Sequence, residues 1–219
     1  MKFHPRLRSI WAHWGRYHGE GYDDASYGRI DNLESWRKVC RGGLNIVQYY
    51  TDNFAEPWIL PPFTVAMLSD RRYFVKKRID SYYMLFWPKD YWWNHALNGY
   101  LAGRVLYDFD LDPYAVLKDY ALHYYGPKAG ALIGKYYEEW ARNPDLAYRV
   151  KDDALPVHRE MLAHQRKDLI NPAIRAVKND SLLSYRVGKV EKLHRLAEES
   201  AEMYRLRDEI RLKRAEGKF

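Results

Sequence analysis

The stretch Leu44-Asn-Ile-Val-Gln-Tyr-Tyr50 decides the fold. It is a short run of strand formers, with Gly42-Gly43 before it and the proline-containing loop Thr51–Pro62 after it. Such a run reads as a buried strand. Downstream, the sequence predicts a helix over about Thr64–Arg78 and another strand over Asp80–Trp87, which leads into the aromatic loop Pro88–Trp93. Upstream, Ser9–Trp14 predicts a strand and Gly15–Gly28 a loop loaded with Gly, Tyr, His and Asp. Asp31 or Asn32 is placed to cap a helix over about Leu33–Arg41, which Gly42-Gly43 ends. Strand, long polar loop and helix, repeated, is the rhythm of parallel β/α units. The long loops all follow strands, as they do on the active face of a (β/α)8 barrel. Three units cannot close a barrel, which takes about 250 residues. The expectation is therefore the last strand–helix units of an incomplete barrel over residues 1–108.

From Trp93 onward the periodicity is helical, and residues 109–219 predict an all-α C-terminal domain, so that helix dominates overall. Leu97, Tyr100, Leu101, Arg104 and Val105 mark one helix. Asp112-Pro113 opens the next with an N-cap acid and a first-turn proline, and Gly126-Pro127 ends it after Tyr125. A third runs over about Lys128–Arg142 and stops at Asn143-Pro144. The remainder predicts a hairpin with one arm over about Asp153–Val177, interrupted near Pro172, and the other over about Ser181–Arg214. In the second arm Leu183, Val187, Val190, His194, Ala197, Ala201 and Tyr204 alternate spacings of four and three, a coiled-coil-like seam. That seam packs either on its own hairpin or on a partner protein.

Of the 219 residues, 47% are hydrophobic, enough for a sizeable core, and 8 Trp and 20 Tyr are concentrated before about Gly126. Aromatic clefts suit sugar rings, which stack on flat faces with polar tips, but the same residues also build cores. The net charge of +7 raises nucleic acid as a partner, yet basic and acidic residues are interspersed throughout. The basic run at 211–214 reads as a solvated helix face. Cys40 is the one cysteine, so neither an intrachain disulfide nor a cysteine-rich zinc site is available. The N-terminus has no apolar core of a secretory signal and no stretch has the length of a membrane helix. A soluble chain is expected, without membrane or nucleic-acid partners, and cytoplasmic if Met1 is its start.

Three motifs carry a family likeness: Asn98-Gly-Tyr-Leu-Ala-Gly-Arg-Val-Leu-Tyr-Asp108, Asp112-Pro113 with Asp119-Tyr120, and His123-Tyr-Tyr-Gly-Pro127. Together they resemble an uncharacterised bacterial domain family of glycoside-hydrolase-like proteins, which is similar to the α-glucuronidase and β-hexosaminidase barrels. The resemblance implies a barrel ending in the Asn98 helix, then a Tyr-Tyr-Gly helix and a helical tail that includes Tyr185-Arg186-Val187. Ile46–Tyr50 is similar to that family's penultimate barrel strand. The likeness spans about residues 8–200, is sharpest at 98–127, and marks architecture rather than chemistry.

Glycoside hydrolysis uses two carboxyl groups flanking the scissile bond, one of them held protonated. In the related barrels the general acid follows a middle strand, which implies that it lies outside this chain, in an upstream barrel portion or a second chain. The candidates here come from the three loops after the strands. The first holds His13, Arg16, His18 and Glu20, where Arg16 is suited to clamp a sugar carboxylate and Glu20 to act as the second carboxylate. The second holds Tyr49, Tyr50 and Asp52, with Asp52 the alternative carboxylate. The third holds Trp87, Trp92 and Trp93, a stacking platform for a pyranose ring or a plug of core aromatics. The spacing of His13 and His18 specifies no metal site, and no phosphate loop, dinucleotide fingerprint, nucleophile elbow or zincin motif occurs. The expected function is a carbohydrate-active, glycoside-hydrolase-like protein, catalytically incomplete alone and needing no metal or cofactor. The alternative is a non-enzymatic helical interaction module with an aromatic core.

Overall fold

A computed structural model describes residues 2–12, 21–22, 30–48, 50, 63–79, 81–84, 92–108, 110–144, 146 and 154–217; at 30–31, 82–84 and 92–95 only the backbone is described. Two compact units divide the chain, Met1–Asp52 with Phe63–Val116, and a second that takes in everything described from Leu117 on.

The first unit contains β1 (Ser9–Ala12), α1 (Ile30–Val39), β2 (Leu44–Gln48), α2 (Thr64–Lys76), β3 (Ser81–Met84) and α3 (Trp92–Tyr107). The strands form one sheet in the order β1-β2-β3, every pairing parallel. Trp11 stands beside Ile46 and Ile46 beside Tyr82. A parallel pair needs a crossover rather than a hairpin, and α1 and α2 occupy the two connections. β2 is the central strand of the three and, as the run of strand formers suggested, is buried along nearly its whole length. Leu44 and Ile46 pack with Leu33 and Cys40 from the α1 region and Tyr73 and Phe74 of α2. Gly42 precedes β2 because nothing larger fits: a Cβ there would lie 2.2 Å from the Leu7 carbonyl oxygen.

Two local expectations change. Asp31 and Asn32 lie inside α1, which already begins at Ile30, so they sit in its first turn rather than capping it. The α2 helix stops at Lys76, short of the expected Arg78. Arg78 adopts a left-handed conformation (φ 52°), and the Ile79 N–H returns 3.0 Å to the Phe74 carbonyl. This is a Schellman-type ending, here built without glycine.

The second unit is wholly helical among its described residues. The α4 helix (Pro113–Tyr125) carries the boundary between the units, and α5 (Pro127–Arg142) follows it. Asp112 caps α4 as expected, its Oδ1 accepting the Tyr114 N–H at 2.9 Å and its carbonyl the Val116 N–H. The hairpin arms are α6 (Leu155–Gln165) continuing through a π-helical turn (Arg166–Ile170) into α7 (Asn171–Val177), and α8 (Ser181–Ala215). Pro172 explains the π turn: its ring would clash with the carbonyl four residues back, and widening the helix makes room. The Asn171 N–H accordingly reaches the Arg166 carbonyl, five residues away. The α8 seam packs within the chain: Val187, Val190, Ala197 and Ala201 join Ile133, Trp140, Leu162 and Ile170 in one core, with Leu183 and Tyr204 at its margin.

Candidate functional site

Where β2 ends, polar side chains gather around one buried carboxyl. Gln48 shares the helix-facing side of the sheet with Leu44 and Ile46, as alternation along a strand requires, and is 1% exposed. Its amide donates to the Tyr22 hydroxyl at 3.2 Å. The Tyr22 backbone N–H donates to Asp70 Oδ1 at 2.8 Å, and the Tyr50 hydroxyl donates to Asp70 Oδ2. Asp70 sits on the inner stripe of α2 with Ala66, Met67, Tyr73 and Phe74, and is also 1% exposed. Asn98 of α3 holds the other end of Tyr50, donating to its carbonyl at 3.5 Å while accepting the Phe63 N–H at 3.2 Å. Gly21 lets this approach happen, since a Cβ there would lie 2.1 Å from Ser69 Oγ on α2.

A buried carboxyl costs several kcal/mol unless its oxygens are bonded, and here both are. The result is a fixed carboxyl–phenol pair at the C-terminal end of a parallel strand, the end at which β/α folds place their ligand sites. Around it the aromatic rings stack closely, Tyr22 against Tyr73 at 5.7 Å and Phe74 at 5.3 Å. Nearer the surface, Glu34 joins α1 to α2 by accepting from the Tyr73 hydroxyl at 2.7 Å and pairing with Lys77 at 2.7 Å and Arg37 at 2.8 Å. Burial works to raise the Glu34 carboxyl, but the hydrogen bonds from Lys77, Tyr73 and Arg37 outweigh it and hold the pKa down at about 2.

Of the residues expected to carry a site, Tyr50 is described, and it is buried with its hydroxyl committed to Asp70. Trp92 and Trp93 form the start of α3, with their side chains outside the description. His13, Arg16, His18, Glu20, Tyr49, Asp52 and Trp87 lie outside the described residues. The sequence reading missed Asp70, Gln48 and Tyr22. Asp70 did leave a signal, an acid at a core position of an otherwise apolar helical stripe (Ala66, Met67, Tyr73, Phe74). Asn98 was visible only as part of an architectural motif.

The helical unit has its own buried polar residues. His194 on α8 is fully buried, its ring 5.7 Å from Tyr136 and edge-on to it. Its Nε2 lies 3.3 Å from Glu198, but neither ring nitrogen makes an aligned hydrogen bond. Burial lowers its pKa to about 4, with the Glu198 carboxylate opposing and Arg166 assisting that shift. His158 packs on Trp140 and is shifted in the same direction by burial. Arg166, in the π turn, forks onto Glu198 at 3.0 and 2.5 Å and reaches Glu191 at 3.1 Å. Among the described residues no group of three metal-binding side chains converges, and no helix is long and apolar enough to cross a membrane.

Residues 19–138 match the model of a family described as Domain of unknown function (DUF4838). No curated protein and no solved structure matches the chain.

Proposed function

The chain belongs to the DUF4838 family, and from that premise we propose that it is a carbohydrate-active, glycoside-hydrolase-like protein that binds sugar at the C-terminal ends of β1, β2 and β3. The observation that carries this reading is the Asp70–Tyr50–Tyr22–Gln48 network, fixed and buried where β2 ends. Three adjacent parallel strands joined through helices agree with a (β/α) barrel segment. The face of β1 that carries Ile10 also fits, because Ile10 is 64% exposed whereas parallel sheets are ordinarily covered on both faces. In a barrel, that face lines the interior.

In this proposal the network, on the helix-facing side of the sheet, is the anchor behind the site, and the post-strand loops are its walls. Tyr50, anchored by Asp70 and Asn98, fixes the path of the chain that leads to Tyr49 and Asp52. Glu20 or Asp52 supplies a carboxylate to the sugar, Arg16, His13, His18 and Tyr49 hydrogen-bond to it, and Trp87, Trp92 and Trp93 stack on the ring. The test is calorimetric titration of the full chain with oligosaccharides built from uronic acids and from N-acetylhexosamines. The expected result is binding to one of the two classes, weakened about tenfold or more by Tyr50→Phe, which removes the Asp70 anchor without removing the ring. Absence of binding to both classes, or full affinity in Tyr50→Phe together with Asp70→Asn, contradicts the proposal.

A further inference from the structure

The α8 helix is longer than the arm it packs on. Its 35 residues span about 52 Å, whereas Leu155–Val177 at the same rise covers about 34 Å. The buried seam runs out at Tyr204, and where it ends a different apolar stripe begins: Met203, Leu206 and Ile210, exposed by 57%, 45% and 43%. At 100° per residue this stripe lies on the side of α8 opposite Ala201. It does not extend the hairpin core and points away from it.

Apart from Arg207 at its middle, which pairs with Asp208 at 3.2 Å, the charges along the stripe have a direction. Glu199 and Glu202 flank its N-terminal end, and Arg211 and Arg214 its C-terminal end. Glu199 is 65% exposed, and its ion pair with Arg195 is long at 3.8 Å. A second α8 laid alongside in the same direction would set acid on acid and base on base. Laid in the opposite direction, about a point between Leu206 and Arg207, it sets Met203 against Ile210 and Glu199 against Arg214. An anionic membrane is a poor occupant, since the glutamates at one end would be repelled while surface-binding helices carry basic flanks throughout. We propose that this stripe is a homodimer interface in which α8 pairs antiparallel with α8 of a second copy of the chain. The surface is self-complementary under a two-fold axis, as an isologous contact requires. The contact covers on the order of 1,000 Å² in total, at the low end for specific association, so the dimer forms in a concentration-dependent way. This inference is independent of the carbohydrate reading.

Sedimentation velocity of the full chain across about 1–200 μM, the range in which a small interface changes occupancy, tests it. The mass is expected to rise from one chain to two. Leu206→Asp, at an exposed position, is expected to hold the chain monomeric with unchanged helical circular dichroism. Glu199→Lys is expected to weaken the dimer about tenfold, and adding Arg214→Glu to the same chain to restore it. A chain that stays monomeric at every concentration, or a dimer indifferent to Leu206→Asp, overturns the interface. Failure of the charge exchange to restore pairing overturns the antiparallel arrangement.

Discussion

Asp70 in the α/β unit is as deeply buried as His194 in the helical unit, yet the two are held in opposite ways. Both Asp70 oxygens accept hydrogen bonds, from the Tyr22 N–H and the Tyr50 hydroxyl. Both His194 nitrogens lack an aligned partner, although Glu198 lies 3.3 Å away. The first arrangement fixes a side chain in place and ties the chain at Tyr22 and at Tyr50 to α2. The second tolerates the imidazole only while it is neutral. A polar residue in a core can therefore be an organiser or a liability, and the bonds it makes tell them apart.

The largest expected effect comes from breaking the organiser. Asp70→Ala leaves the Tyr50 hydroxyl and the Tyr22 N–H buried without their acceptor. The cost is about 2–6 kcal/mol, at about 1–3 kcal/mol for each buried donor left without an acceptor. Asp70→Asn keeps an acceptor for one donor and is expected to cost less than half as much. Hydrogen exchange of the amides in β2 and α2 measures both. If Asp70→Ala stays within about 1 kcal/mol of the parent, the network is not what orders the end of β2.

Next in size is the liability. His194 has a pKa of about 4 in the folded chain, below its ordinary value of 6.5, because burial disfavours the imidazolium. The unfolded chain therefore binds a proton that the folded chain refuses. Stability of the helical unit is full above pH 6.5 and declines as the pH falls from 6.5 to about 4, by at most about 3 kcal/mol. The groups facing the ring oppose one another: Glu198 and the Leu162 backbone carbonyl favour the charged form and Arg166 disfavours it, while Tyr136 contributes an uncharged edge. His158 is shifted the same way, so the decline has two contributors. Glu34 in the α/β unit gives a different signature. Its folded pKa of about 2 lies below the ordinary 4.5, so its contribution is present above pH 4.5 and lost between 4.5 and about 2. Unfolding followed from pH 7 to pH 3 should show the helical unit weakening first. His194→Leu should flatten its curve between pH 6.5 and 4, and an unchanged curve would remove His194 as the cause.

The two units also differ in how much of them could be read from sequence. The helical unit was legible in detail because its signals are local. Asp112-Pro113 and Gly126-Pro127 mark helix ends, Pro172 forces a disturbance one turn wide, and the four-and-three spacing from Leu183 to Tyr204 names the buried face of α8. The sheet was legible as a rhythm of strands and helices, since β2 reads as a buried run whatever it pairs with. The network at its end was not. Tyr22, Gln48, Asp70 and Asn98 are far apart in the chain, and only the fold brings them together. Tyr50 was singled out as a group to bond a sugar hydroxyl, and the structure adds a bond the sequence does not show, from its hydroxyl to the Asp70 carboxyl. The charged loops drew attention because they are rich in functional groups, while Asp70 was hidden among the apolar residues of α2.

The smallest effect tests whether local signals in the helical unit are also local in energy. Asp180 caps α8: its Oδ1 accepts the Leu183 N–H at 2.9 Å, and its carbonyl accepts the Ser184 N–H at 2.8 Å. The Ser184 hydroxyl meanwhile donates to the Val177 carbonyl at 2.6 Å, closing the turn between α7 and α8. Asp180→Ala removes the side-chain acceptor and the negative charge at the positive end of a long helix dipole, and is expected to cost about 1 kcal/mol. Asp180→Asn keeps the acceptor and loses the charge, so it should cost a few tenths of that. Because the α8 core begins at Val187, about two turns past the cap, the loss should appear in exchange of the first-turn amides and fade beyond it. If instead the amides near Ala201 weaken equally, the hairpin unfolds as one cooperative body, and the turn at Asp180 governs the seam as well as the helix end.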